Sequence, residues 1–235
     1  LNLLALVNQV RSDSGTFPAP LTTVVGVIGR DAKAVGWVQM AWRSIQNAHK
    51  MWNWMQSEFT VDTVATTQRY AGTDCTDSFD AAPITRFSEW VCRGRDEDRI
   101  KMFDPAIGLS DIGRLGFIPW ESFYVRAVNT SAANAKPNLF SIDPQNRLCF
   151  SPVPDAAYTV RGPYRKSAQT LALDADIPEM PVDLHDVIAS VAQQFLSLHD
   201  EAGQVLPVWK LRENRDFCRL EQMQLPEVRV GGPLA

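Results

Sequence analysis

The chain has 235 residues, room for one large domain or two small ones and ample for a real core. Hydrophobic content of 45% and charged content of 21% are those of an ordinary globular protein. A formal net charge of −4 argues against a dedicated nucleic-acid binder, which is usually basic, but not against a protein that DNA merely slides past.

Leu3, Leu6, Val7 and Val10 recur at helical spacing and predict a short amphipathic helix stopping near Ser14-Gly15. Thr16 to Gly29, with Pro18, Pro20, Gly26 and Gly29, reads as a long connector with one extended piece around Val24 to Ile28. Asp31 is the expected N-cap of the clearest element in the sequence. There Val35, Val38, Trp42, Ile45, His49 and Trp52 step by three and four, widened by Ala41, Ala48 and Met55. Trp37 and Trp54 fall off that stripe. They are candidate partner-binding residues, and the competing reading is that the rest of the chain covers them.

From Glu58 the period shortens, Phe59 and Val61 alternating with Thr60 and Asp62. Ile84 to Val91 alternates poorly, and residues 93–99 (RGRDEDR) read as an exposed loop or hairpin tip. Ile100, Met102 and Phe103 form an expected strand. A helical turn is expected within Leu109 to Leu115, and Pro119 starts another short helix.

Leu139 to Pro181 organises the remainder. Three short strands are expected: Leu139 to Ile142, Leu148 to Ser151, and one restarting at Tyr158 and Val160. A type I turn at Asp143-Pro144-Gln145-Asn146 separates the first two, and Pro152 and Pro154 end the second. Leu148 and Phe150 are assigned to one face; Arg147, Cys149 and Ser151 to a wetter one. After Gly162-Pro163 the chain stays extended and acidic through Asp174, Asp176 and Glu179 until Pro181 launches a helix.

Asp183 precedes Leu184, Val187, Ile188, Val191 and Phe195 at helical spacing, with Asp186 in the first turn for the dipole and Gly203 as the stop. Pro207 opens a last helix carrying Trp209, Phe217 and Leu220 among mixed charges, which marks a solvated or subunit-facing surface, and Pro226 ends it. These elements predict an α+β fold: a helical bundle made by both chain ends around a β-rich insertion, an antiparallel meander. The expected boundaries are 1–57 for the first helices, 58–170 for the insertion, 171–225 for the last helices and 226–235 for an extended tail.

Chemistry is sparse. The four cysteines, Cys75, Cys92, Cys149 and Cys218, lie far apart without C-x-x-C and read as free thiols. No apolar run reaches membrane-spanning length. The opening LNLLALV lacks a basic n-region and cleavage site, and a start at Leu1 implies a missing short leader. His49 reads as a packed histidine. His185 stands near Glu179, Asp183 and Asp186, which are better explained as residues of a helix start than as a cation site. No Gly-rich phosphate loop, H-E-x-x-H or G-x-S-x-G occurs, so no catalytic residue, metal ligand or cofactor is assigned. Arg161, Arg165 and Lys166 form a small basic stripe: either channel-facing or solvated strand residues that protect an edge.

The order Pro-x-Pro-Asp-Ala-Ala-Tyr-Thr-Val at 152–160, then Tyr164, then Ile-Pro-Glu-Met-Pro at 177–181 before the helix with His185, resembles tailed-phage head-to-tail adaptor (connector) proteins. Trp37-Val38, Ala41-Trp42, Ile45-Gln46, Trp52, Trp54-Met55 and Phe59 resemble the long N-terminal helix of that group, and the two blocks cover somewhat more than half the chain. The resemblance implies a non-enzymatic virion protein: a ring of twelve copies between portal and tail, presenting a landing surface for the next neck or tail protein. DNA would pass without specific binding, no membrane would be involved, and assembly would occur in the host cytoplasm. It also implies a terminal extension that meets the portal, for which Val228, Val230 and Leu234 are the candidates. Alternatives are a tail terminator or other neck ring; a cell-wall hydrolase built on Glu121 or Glu179; and a carbohydrate-binding module using Trp90 or Trp120.

Overall fold

The computed structural model describes residues 1–92, 100–128 and 133–226. In chain order its elements are α1 (Leu3–Ser14), α2 (Gly29–Ala48), β1 (Gln56–Asp62), β2 (Arg69–Tyr70), β3 (Thr76–Asp77), β4 (Glu89–Trp90), β5 (Lys101–Phe103), β6 (Gly113–Arg114), β7 (Gly116–Phe117), α3 (Trp120–Phe123), β8 (Leu139–Ile142), β9 (Leu148–Ser151), β10 (Thr159–Arg165), α4 (Asp186–His199) and α5 (Leu206–Gln224). The fold is α+β. It divides into two compact units, Leu1–Met55 with Ala168–Ala235, and Gln56–Ser167. The joins expected at 57/58 and 170/171 stand beside observed ones at 55/56 and 167/168.

In the helical unit, α1 begins where the Asn2 side chain accepts from Ala5 N–H and ends at Gly15, whose φ of 63° only glycine adopts without strain. Its stripe of Leu3, Leu6, Val7 and Val10 is fully buried. Each such side chain removed from water contributes about 1.5–3 kcal/mol. α4 packs against α1, α2 and α5. It is apolar on most of its circumference, Val187 to Ala192 being buried without a break. Gln193, also buried, donates to the carbonyl of Val10 at 2.6 Å and so ties α4 to α1. The acidic stretch before α4 is pinned as well: Leu3 N–H donates to the Asp176 carbonyl at 2.8 Å, and Val24 N–H to the Asp174 carboxylate at 2.6 Å.

Two expectations about helix ends are corrected here. Asp31 is not the N-cap of α2; Ile28, with extended backbone and no capping side chain, holds that position. Asp31 sits in the first turn, where a carboxylate favours the helix dipole, and pairs with Arg11 of α1. α2 stops at Ala48, so His49 and Trp52 lie beyond the helix although they continue its spacing. At α4 a 3-10 turn over Val182–Leu184 precedes the helix, and Asp186 occupies its first turn as expected.

The β unit has two sheets. The larger has six strands in the order β3-β1-β10-β5-β6, with β4 also on β10; the smaller has the order β2-β9-β8-β7. β1 and β10 form its spine, pairing antiparallel from Gln56↔Arg165 to Asp62↔Thr159. The expected meander is therefore only partly continuous. β8 and β9 form its hairpin, closed by Asn146 N–H to the Asp143 carbonyl at 2.9 Å. β10, however, leaves β9 and joins the other sheet. Gly162 and Pro163 do not end that strand: proline needs no ladder donor at a position where Val91 N–H reaches its carbonyl instead. Cys149, expected on a wet face, is fully buried, in register with the equally buried Ser141 of β8, the strand against which α3 packs. The expected helical turn near Leu109 is a 3-10 turn of Leu109–Asp111 leading into β6. The charged run at 93–99 lies outside the described residues.

Candidate interaction surfaces

The aromatic residues beyond α2 form one stack within the helical unit. Trp52 is completely buried and lies 4.6 Å from Trp54 between ring centroids, nearly parallel at 19°, with Trp42 stacked on Trp54 at 6.3 Å. His49 and Phe217 meet Trp52 edge-on. The Trp52 indole donates to the carbonyl of Ile45 at 2.8 Å, satisfying one of the acceptors left over in the last turn of α2. His49 Nε2 meets the Glu221 carboxylate at 2.6 Å, joining the end of α2 to the last turn of α5.

The two tryptophans expected at a partner surface sit differently. Trp37 is 8% exposed and packs against the His199 ring at 5.2 Å, so its area is covered within its own unit. Trp54 is half-buried, and its indole N–H has no hydrogen-bond partner. Val228, Val230 and Leu234 lie outside the described residues.

A larger exposed surface is α5 itself, the helix whose mixed charge marks it as solvated or subunit-facing. Of its 19 residues only Leu220 is buried. Val208 and Leu211, one turn apart, are 61% and 73% exposed. Isolated helices are marginal in water, so a helix this exposed draws its stability from the one face it lays on α4. Near its C-terminal half, Arg212, Arg215, Asp216 and Arg219 face Asp183 and Asp186 across a shallow groove of about 130 Å³.

In the β unit the basic stripe is split. Arg161 is exposed, its guanidinium 5.3 Å from the Phe103 ring centroid. Arg165 is buried to 9% exposure and meets Glu89 at 3.6 Å, while Lys166 is half-buried. One stretch of strand thus separates the three. Arg161 and Arg165 fall on the same face of β10 and Lys166 lies just past its end, and the edge of β10 near Arg165 is occupied by β4.

The chemistry-bearing groups are held by packing. Asp77 is buried and accepts from Ser57 and Tyr164 hydroxyls, both at 2.6 Å, and from Phe79 N–H. Burial alone would raise its pKa, but these hydrogen bonds together win, so the carboxyl lies below its ordinary range. Burial pushes the Cys75 thiol up to about 12 and Cys149 to about 11, far from thiolate reactivity. Among the described residues no cysteine forms a disulfide, and Cys218 is exposed. His185 is fully buried with Nε2 3.0 Å from the Met180 carbonyl, and burial lowers its pKa. Among the described residues no group of three or more His, Cys, Asp or Glu is placed to hold a metal ion. Trp90, considered as a sugar platform, is buried with its N–H on the Asn146 carbonyl, and Trp120 lies under the Arg69 guanidinium. Glu121 and Glu179 are both exposed, on different units. No helix among the described residues is long and apolar enough to cross a membrane.

A two-unit α+β chain with a bare terminal helix and buried, hydrogen-bonded ionisable groups has the makings of an assembly subunit. The profile of the family described as SU10 adaptor protein matches residues 1–225, and the chain belongs to that family, a family of phage head-to-tail adaptors. No curated protein is matched by the chain. Its role is that of a structural adaptor of the phage virion neck, interacting with other head and tail proteins.

Proposed function

We propose that the chain forms a closed ring of twelve copies that docks under the portal, continues the DNA channel and offers the tail its attachment surface. What supports the reading beyond family membership is α5. A 19-residue helix with one buried residue is poorly accounted for by a lone subunit. The exposed Val208 and Leu211 give a ring neighbour apolar area to cover. Trp54, with part of its ring still open, and the tail residues Val228, Val230 and Leu234 are further candidates for burial against a neighbour or the portal.

The mechanism is mechanical. Identical copies associate head-to-tail through heterologous surfaces, and the rotation between them closes the ring. DNA then passes without tight binding, because each phosphate neutralised would add to affinity and slow passage. Assembly takes place in the host cytoplasm, and DNA ejection runs through the finished channel.

Native mass spectrometry of the purified chain, alone and with portal, tests this. A twelve-copy species that forms or is stabilised on portal supports it. A persistent monomer that ignores portal refutes it. Leu211→Asp places a charge in the proposed contact and is expected to abolish the ring while leaving the circular dichroism spectrum unchanged. Deleting residues after Leu225 is expected to weaken portal binding, and unchanged binding would remove the tail from the interface.

A further inference from the structure

β3 closes one side of the larger sheet, and beyond it the chain turns so that Thr76 bridges back to Pro83. That turn holds Phe79, 77% exposed and the most exposed aromatic ring among the described residues. Its backbone is fixed from several directions. Asp77 N–H donates to the Ala82 carbonyl at 2.8 Å, and Ala81 N–H to the Asp77 carbonyl at 2.9 Å. Ser78 N–H reaches the Glu58 carbonyl on β1 at 2.7 Å, and Phe79 N–H donates to the Asp77 carboxylate at 2.9 Å. The Ser57 and Tyr164 hydroxyls anchor that carboxylate in turn. Ala81 takes a φ of 52°, a left-handed conformation that an alanine keeps only where its surroundings impose it. A buried polar network thus presents an apolar ring to solvent on a backbone already ordered. Little backbone entropy is left to lose when that ring is covered.

The charges along this turn have one sign. From Ala71 to Thr85 the chain has three aspartates and no Lys, Arg or His. Asp77 is buried, and Asp74 and Asp80 are exposed. The next cation, Arg86, donates to the Ser167 carbonyl. α5 shows the opposite sign. Its fully exposed charged residues, Lys210, Arg215 and Arg219, are all cations. Its carboxylates are half-buried and engaged within the helical unit: Glu213 with Gln194, Asp216 with Arg212 and Arg215, Glu221 with His49. Val208, Leu211 and Arg215 follow one another at spacings of three and four, so they share the face of α5 turned away from the buried Leu220. The Arg215 side chain stays 74% exposed although it touches Asp216.

We propose that Phe79 of one copy packs on Val208 and Leu211 of the next copy, with Asp80 set against Arg215. The proposal rests on the ring reading above and deepens it by naming the surface that covers α5. A rigid aromatic ring enclosed by aliphatic side chains is what anchors an interface, and opposed charges at its rim steer approach and disfavour wrong registers. The two patches differ, so the contact is heterologous. Each copy offers its turn to one neighbour and its α5 to the other, as a closed ring requires.

The test puts photoreactive p-benzoyl-phenylalanine in place of Phe79 in the full chain, irradiates it alone and with purified portal, and maps the cross-linked peptides by mass spectrometry. The expected product joins position 79 of one copy to the 206–224 segment of another. Cross-links only to portal, or only to a different segment of the neighbouring copy, overturn the proposal; the first would assign the turn to the portal. Sedimentation velocity supplies a second readout. Phe79→Ala is expected to weaken self-association about 30-fold, the level of an interface hot spot. Its circular dichroism spectrum should not change, because the ring removed is an exposed one. Asp80→Arg should weaken association too, and adding Arg215→Asp should restore it. A folded Phe79→Ala chain that associates as tightly as wild type, or a charge reversal without rescue, overturns the proposal. Native mass spectrometry follows ring closure in parallel. Closed rings without the cross-link to α5 sink this contact and leave the ring; the cross-link without closed rings sinks the ring and leaves this contact.

Discussion

Replacing Trp52 by alanine probes how the last helix is held. The indole is fully buried, stacks on Trp54, meets His49 and Phe217 edge-on, and donates to Ile45 in the last turn of α2. Truncation of a buried aromatic of this size costs about 3–5 kcal/mol through lost transfer energy and the cavity left behind. Losing the hydrogen bond adds about 1 kcal/mol, because the carbonyl it satisfied sits where helical donors have run out. Trp52→Phe isolates the parts: it keeps most of the ring stack and removes the donor, so it should lose markedly less than Trp52→Ala. Urea unfolding of the full chain, followed by far-ultraviolet circular dichroism, reads both differences. Because Phe217 lies on α5, the alanine variant should also expose the C-terminal half of that helix to faster amide exchange. A loss under 1 kcal/mol for Trp52→Ala, or equal losses for Ala and Phe, would refute this description of the aromatic stack.

Other predictions concern the β unit and pH. A Cβ added at Gly162 would sit 2.9 Å from Ile100 Cγ1 and 3.1 Å from Phe59 Cε1, so Gly162→Ala should destabilise by about 1–3 kcal/mol in urea unfolding. Lys101→Gln removes a cation flanked by two others in register and should stabilise the chain by about 0.2–1 kcal/mol at low salt, a gain that fades at 1 M salt. Asp77 and Asp143 both have lowered pKa values: burial opposes ionisation in each, but hydrogen bonds, and for Asp143 also the Arg147 charge, outweigh it. A depressed carboxyl pKa contributes stability that is complete above the unfolded value of about 4 and is lost as pH falls through the folded value. The urea midpoint should therefore stay level from pH 7 to 5 as far as these groups are concerned and fall towards pH 2.5. Asp77→Asn should flatten that fall while lowering the plateau.

The helices were legible because local spacing and burial agree. Leu3, Leu6, Val7 and Val10 are fully buried, and Val35, Val38, Trp42 and Ile45 lie in the same core. The Asp143 turn was legible for a similar reason: its side chain accepts from Gln145 and Arg147 N–H, a bond set made within five residues. What spacing could not supply was where a pattern stops and what it pairs with. His49 and Trp52 keep the period of α2 after the helix has ended, since a side chain can reach the same core from a turn. β10 had the alternation of a strand, but its partner β1 lies about a hundred residues earlier, and alternation carries no address. Strands of two residues, such as β2, β3, β4 and β6, are too short to show any period. The register that sets Lys101 between Arg161 and Arg114 depends on two such pairings at once, and no spacing along the chain signals it.

The most direct measurement is electron microscopy of intact particles carrying a small tag on this subunit, with gold or antibody marking the tag. A ring of label at the neck, between the filled head and the tail, is the expected result. Label at the distal tail tip or over the head shell, or particles lacking the subunit that still join head to tail, would contradict the adaptor role.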